Sequence, residues 1–241
     1  MKAMLFAAGL GTRLQPLTDK IPKALAVVAG QTLLERAIFH LAEQGVNYFV
    51  INVHHHANQI IEFLQNHGSF GLDIYISDET NELLETGGGL LKAANHFSGN
   101  EPFVVINADV ICNIDIVKMM DAHKTTNSLA SLAVRNRPQS SRQLLFDEDG
   151  QLCGRINRNK NERQISIEYP IFEEKAFSGI HILSPKWFEL TAHKGKFSII
   201  DSYLELCKNN TIQAYAHDED FWFDVGSIEK LNEAEKYLTN K

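Results

Sequence analysis

Short apolar runs alternating with residues at helical spacing predict an α/β fold for this chain, a Rossmann-like, mostly parallel mixed sheet flanked by helices. Two further observations support that class. With 241 residues, 44% of them hydrophobic, the chain is long enough to bury a sizeable core, and no linker-like stretch divides it. Gly9, Asn107 and Asp109 all fall just after apolar runs, and ligands in such sheets bind beyond the carboxyl ends of the strands.

The elements follow in order. Residues 3–7 read as a buried strand. Leu33, Leu34, Ala37, Ile38 and Leu41 then share one helical face until Gly45 ends the helix. Residues 48–53 form the next strand and residues 60–64 lie on the next helix. Residues 72–76 and 103–106 are two more strands, separated by a helix from about residue 90 to 97. The second half is less regular. Residues 129–134 and 177–183 read as strands, whereas residues 135–175 are polar, rich in Asn and Arg and weakly patterned, which suggests hairpins or a flap. Residues 199–207 and 228–238 close the chain as amphipathic helices, the second with Ser227 as its N-cap.

Charge and cysteine usage narrow the partners. A formal net charge of −7 argues against nucleic-acid and anionic-membrane surfaces, which reward a basic face. Yet the first 25 residues carry Lys2, Arg13, Lys20 and Lys23 against the single acid Asp19, so positive charge is focused at one place. Cys112, Cys153 and Cys207 are odd in number, widely spaced and free of any CxxC pair, as expected of reduced thiols in a cytoplasmic protein. The opening MKAMLFAAGLG has a lysine before an apolar run, but the run breaks at Gly9 and Arg13 without a cleavage-site pattern. No segment approaches the roughly 20 apolar residues of a membrane span.

The most informative stretch is FAAGLGTRLQPLTDKIPK, residues 6–23, directly after the first strand. Gly9 and Gly11 let the backbone approach phosphate oxygens; Arg13 offers a forked pair of donors, and Lys23 a compact charge after Pro22. Two commoner phosphate loops are excluded. Gly9 and Gly11 lack the following lysine of a Walker loop, and Leu14 stands where the third glycine of a dinucleotide fingerprint belongs. LLETGGG, residues 83–89, is a second glycine-rich element whose backbone groups are expected to lie open to a flat ligand. His54, His55 and His56 do not read as a metal site, because adjacent side chains on an extended segment point to alternate sides.

LFAAGLGTRLQPLTDKIPKAL resembles the amino-terminal signature of the sugar-1-phosphate nucleotidyltransferases, with further matches near Glu85 to Gly89, Asn107 to Asp109, Phe177 to His181 and Trp222 to Ser227. The resemblance implies the nucleotide-diphospho-sugar transferase fold, in one domain with a nucleotide-binding half to about residue 112 and a sugar-binding half beyond it. In the implied reaction a sugar-phosphate oxygen attacks the α-phosphorus of a nucleoside triphosphate in line and pyrophosphate leaves. Positioning and charge neutralisation then supply most of the catalysis. The implied cofactor is Mg²⁺, held by Asp109 and Asp224, with Arg13 and Lys23 as catalytic residues. Ala8, Gly9, Gly11, Thr12, Arg13, Glu79, Thr86, Gly87 and Gly88 are expected around the nucleotide, and Asn107, Gly179 and Lys175 around the sugar. Many relatives hold the sugar phosphate with a Glu-Lys-Pro lysine, whereas Glu174 and Lys175 are followed here by Ala176.

The ETGGG segment, the length and FSGI look most like enzymes that use UTP with N-acetylmuramate 1-phosphate. Mannose- or heptose-1-phosphate guanylyl transfer is the alternative reading, and an inactive binding homologue the other. Retention of Arg13, Lys23, Asp109 and Asp224 speaks against inactivity. The expected partners are a nucleoside triphosphate and a sugar 1-phosphate, with the protein a monomer or dimer.

Overall fold

The computed structural model describes residues 1–240. Its first strand, β1 (Lys2–Phe6), is apolar because both faces are covered: Ala3 and Leu5 enter one core and Met4 the other. A small hairpin, β2 (Val27–Val28) and β3 (Gln31–Thr32), leads into α1 (Leu33–Ala42). There Thr32 Oγ1 accepts from the Glu35 N–H and the Glu35 carboxylate accepts from the Thr32 N–H, a capping box that starts the helix where the apolar spacing begins. β4 (Tyr48–Val53), α2 (Ala57–Asn66), β5 (Asp73–Asp78), α3 (Glu85–Lys92) and β6 (Phe103–Asn107) continue the alternation. β7 (Val110–Cys112) and α4 (Ile116–Thr126), capped by Asp115, follow.

The next stretch is a run of strands: β8 (Ala130–Arg135), β9 (Arg142–Phe146), β10 (Leu152–Asn157), β11 (Glu162–Ile165) and the long β12 (Glu173–Leu183). After α5 (Trp187–Leu190) and α6 (Ile199–Leu206) come β13 (Ile212–Ala216), β14 (Trp222–Asp224) and α7 (Ile228–Thr239). Ser227 caps α7 by accepting from the Lys230 N–H.

The central sheet runs β13–β8–β12–β6–β1–β4–β5. It is mostly parallel: β4 with β5, β1 with both β4 and β6, and β8 with β13 run parallel, while β12 is antiparallel to β6 and β8. Alternate residues divide between two cores. Val104 and Ile106 of β6 join Phe49 and Ile51 of β4 in the first, whereas Phe103, Val105 and Val50 join the second with Trp187 and Tyr203. The beginning of β12 leaves this sheet to pair with β9, which carries β10 and β11 as an antiparallel flap. β14 pairs antiparallel with β7, tying the end of the chain to the exit of β6.

The weakly patterned region is thus a hairpin flap, in line with the sequence. One boundary differs in an informative way: the helix expected from residue 90 begins at Glu85 and ends at Lys92, followed by a 3₁₀ turn over Ala94–Phe97. Gly87, Gly88 and Gly89 are poor helix formers, and tertiary packing overrides that preference. Among the described residues no helix is long and apolar enough to cross a membrane.

Candidate active site

β1 delivers the chain into the glycine loop at the carboxyl edge of the sheet. The Ala7 N–H donates to Asn52 Oδ1 at 2.8 Å, which fixes the exit angle. Gly11 then takes φ +66°, and a Cβ there would lie 2.8 Å from Thr18 Cγ2. Thr18 Oγ1 in turn donates to the Gly11 carbonyl at 2.9 Å. The turn Thr12–Leu14 projects Arg13 into a cavity of about 360 Å³ that Gly9, Gly11, Thr12, Lys23 and Asp109 also line. Lys23 enters from a short 3₁₀ turn after the extended Pro22 and pairs with the Asp109 carboxylate.

Asp109 stands just beyond β6, where Ala108 N–H donates to the Phe6 carbonyl and continues the sheet by one residue. The Asp109 carbonyl accepts from the Val225 N–H at 2.9 Å, and Asp224 sits opposite Val110 in the β14–β7 pair. Lys230 of α7 donates to Asp224 Oδ2 at 3.0 Å. Between Asp224 and Arg13 lies Gly226, where an added Cβ would be 2.8 Å from Arg13 Nη2 and 3.0 Å from Asp224 Oδ1. Glycine at this position lets both side chains lie close against the backbone.

A second cavity, of about 760 Å³, adjoins the first, and Arg13 and Asp109 line both. Asn107, Gly179 and Asp224 form part of its wall. The β12 register breaks between Phe177 and His181, and Gly179 within the break has φ +78°. A Cβ there would lie 2.7 Å from Asn107 Nδ2, so the bulge brings β12 backbone against that amide. The flap adds Arg137, Arg142, Arg155 and Lys160. Arg155 is ion-paired to Asp201 at 2.6 Å, and Arg137 lies over the Trp222 ring at 4.7 Å.

The family model described as "Nucleotidyl transferase" matches residues 2–241. The chain belongs to that family. The transferase is 30% identical over 241 residues to the N-acetylmuramate alpha-1-phosphate uridylyltransferase of Neisseria meningitidis serogroup B, covering 98% of this chain and 97% of that one. It is 28% identical over 229 residues to the mannose-1-phosphate guanyltransferase of Yarrowia lipolytica, covering 94% of this chain and 61% of the relative. Among solved structures, a UDP-glucose pyrophosphorylase complexed with UDP-glucose shares the fold with a TM-score of 0.79 at 21% identity, covering 100% of this chain and 99% of that one. The transferase is thus an enzyme of the sugar-1-phosphate nucleotidyltransferase class, with the fold its sequence implied.

Several of the expected site residues of the transferase do not line either cavity. Ala8 is buried and lines neither cavity. Glu79, 1% exposed, accepts from Asn52 Nδ2 at 2.7 Å and from the Leu84 N–H at 3.0 Å, so it braces the loop from beneath. Thr86 Oγ1 accepts from the Ile199 N–H at 2.9 Å. Gly87 and Gly88 are packed closely on one side: the Gly87 N–H donates to the Phe197 carbonyl at 2.9 Å, and added Cβ atoms would lie 2.2 Å from the Phe197 ring and 2.1 Å from the Gly195 carbonyl. These glycines let α3 pack against residues 195–197. Leu83 and Glu85, on either side of Leu84, reach the cavities instead. Lys175 pairs with Glu173 at 3.1 Å, two residues along the same strand face, and lines neither cavity.

His54 also proves structural, its Nδ1–H donating to the Glu79 carbonyl at 2.6 Å. The three cysteines are buried and unpaired, and burial pushes the Cys112 thiol up to about 12. Sequence reasoning missed Arg137 and Lys160. The one available signal was the density of basic residues between 135 and 163 in an otherwise acidic chain.

Proposed function

We propose that this transferase uses UTP and N-acetylmuramate 1-phosphate, releasing pyrophosphate and the UDP-sugar. The observation that carries the reading is the pair of adjoining cavities that share Arg13 and Asp109, one floored by the glycine loop and the other walled by cationic flap residues. Two substrates of like charge brought together need such a shared junction. UTP and the acidic sugar are favoured by the Neisseria meningitidis relative, which matches over nearly the whole of both chains.

In this reading the Gly9 to Arg13 loop holds the triphosphate, and Arg13 and Lys23 balance charge gathering on the α-phosphate. The donor set suits Mg²⁺: Asp109 and Asp224 are hard oxygen ligands on the wall of one cavity. Among the described residues no three His, Cys, Asp or Glu side chains converge on one point, so phosphate and water would complete the shell. Mg²⁺, when bound, supplies charge neutralisation across both phosphates. Asn107 and the Gly179 backbone orient the sugar, whose phosphate oxygen forms the new bond as the bond to pyrophosphate breaks. Asp109, Asp224, Lys23 and Lys230 hold one another in place before substrate arrives. Three buried thiols suit a cytoplasmic setting.

The test is product formation from UTP or GTP with N-acetylmuramate, N-acetylglucosamine, glucose and mannose 1-phosphates, with Mg²⁺ or excess chelator, followed by mass spectrometry and pyrophosphate release. UDP-N-acetylmuramate formed only with Mg²⁺ is expected. GDP-mannose as the main product would replace this substrate pair with the guanylyl one, and turnover in chelator would remove the metal assignment.

A further inference from the structure

We infer that Arg137, lying on Trp222, is the receptor for a carboxylate carried by the sugar substrate, and so sets specificity for acidic over neutral sugar 1-phosphates. The inference rests on the sugar-1-phosphate reading of the larger cavity and adds to it the residue that reads the sugar.

The larger cavity holds more cationic side chains than one phosphate requires, and they are not equivalent. Arg13 is shared with the glycine-loop cavity. Arg155 is neutralised by Asp201. Arg142 and Lys160 are exposed, where water screens them. Arg137 is half-buried, its guanidinium lies over the Trp222 ring at 4.7 Å, and among the described residues no carboxylate pairs with it.

Both halves of that stack are built in. The Arg137 carbonyl accepts from Gln143 Nε2 at 2.7 Å and from the Ser140 N–H at 2.9 Å, and Gln143 is 2% exposed. Next to it, the Asn136 N–H donates to Asp218 Oδ1 at 2.7 Å, which ties down the start of the loop. On the other side, Trp222 Nε1 donates to the Ser178 carbonyl at 2.9 Å, while Ser178 Oγ meets His217 Nε2 at 2.7 Å. A guanidinium held flat on an indole loses little freedom when it forks two bonds to a planar carboxylate.

Position separates this carboxylate from the reacting phosphate. Trp222 and Asp224 are alternate residues of β14 and share a face, about 7 Å apart along the strand. Arg137 lines the same cavity through its contact with Trp222, whereas Arg13 and Asp109 stand where the two cavities adjoin, so a carboxylate at Arg137 is a substituent distinct from the reacting phosphate.

The experiment compares kcat/KM for N-acetylmuramate 1-phosphate and N-acetylglucosamine 1-phosphate, which differ by the acidic ether, in the full chain and in Arg137→Ala and Arg137→Lys. Arg137→Ala is expected to lower the acidic-to-neutral ratio by about 10-fold to 100-fold, the size of a lost charge-assisted pair. Arg137→Lys, which keeps the charge without the fork, should fall between. Thermal stabilisation by UTP shows that each variant is folded. Equal losses for both sugars, or an unchanged ratio, would overturn the inference while leaving nucleotidyl transfer in place. Failure of the unsubstituted protein with every sugar would instead overturn the reading beneath it.

Discussion

The floor of the smaller cavity comes from one contiguous stretch, residues 6–23, braced locally by the Thr18 to Gly11 bond and by Asn52 on the Ala7 N–H. The wall of the larger cavity is assembled from β6, β9, β10, β12 and β14, elements spread over more than half the chain. The first works through backbone geometry and the second through charged side chains on hairpins. A loop that reads phosphates needs its residues adjacent, because successive N–H groups must converge on one anion. A wall that reads a sugar needs only that side chains meet in space, and its sequence order is free.

The largest effect expected lies where the two regions join. Asp109→Asn and Asp224→Asn should each lower kcat by well over the roughly 100-fold limit of an indirect partner, with UTP binding less affected. Calorimetric UTP titration beside steady-state rates checks this. Near-normal kcat in either folded variant would remove that aspartate from the junction.

The two glycine elements offer a sharper contrast. Gly87→Ala would drive a Cβ into the Phe197 ring and should destabilise the fold by about 1–3 kcal/mol. At Gly9 nothing lies within 4 Å of an added Cβ, so Gly9→Ala should leave stability within about 0.5 kcal/mol while weakening UTP binding. Thermal melts with and without UTP separate the two outcomes. The opposite pattern would mean that the ETGGG segment, and not the first loop, meets the nucleotide.

These pairs show what was legible in the sequence. Arg13, Lys23, Gly11 and Asp109 were readable because their residue types are unusual choices beside apolar strands, and the strand ends locate them. The packing of Gly87 and Gly88 was not legible, for one physical reason. A glycine beside a ligand and a glycine beside a phenyl ring look the same in one dimension, and the Phe197 that fills the space lies over a hundred residues away. For Lys175 the sequence did not show the ion pair with Glu173 that holds its ammonium. Arg137 was hidden because its partner ring, Trp222, belongs to a three-residue strand near the end of the chain.

A third expectation concerns acid. Burial lowers His181 to about 3, and His123 and His217 to about 4, well below the ordinary histidine value near 6.5. Between about pH 6.5 and 4 the unfolded chain binds more protons at these sites, so stability is complete above 6.5 and is lost progressively as pH falls. Two of the three touch the long strand β12: His181 lies in it, and His217 bonds Ser178. Urea midpoints should therefore fall between pH 7 and 5, with protection of β12 amides in hydrogen exchange falling before that of β1. Equal loss in both strands would mean that the regions unfold as one unit.

The smallest effect belongs to Lys175→Ala. A half-exposed pair with Glu173 is worth about 0–1 kcal/mol, and the sugar KM should be unchanged. A several-fold rise in that KM would return Lys175 to the site.

Arg13 and Asp109 belong to both cavities at once, and Arg13→Ala tests this shared junction most directly. Separate titrations of the folded variant with UTP and with N-acetylmuramate 1-phosphate, each with Mg²⁺, should show both ligands weakened, by about 10-fold or more for each lost charge-assisted contact. Loss of UTP affinity with unchanged sugar-phosphate affinity would contradict the shared junction and leave Arg13 a residue of the nucleotide loop alone.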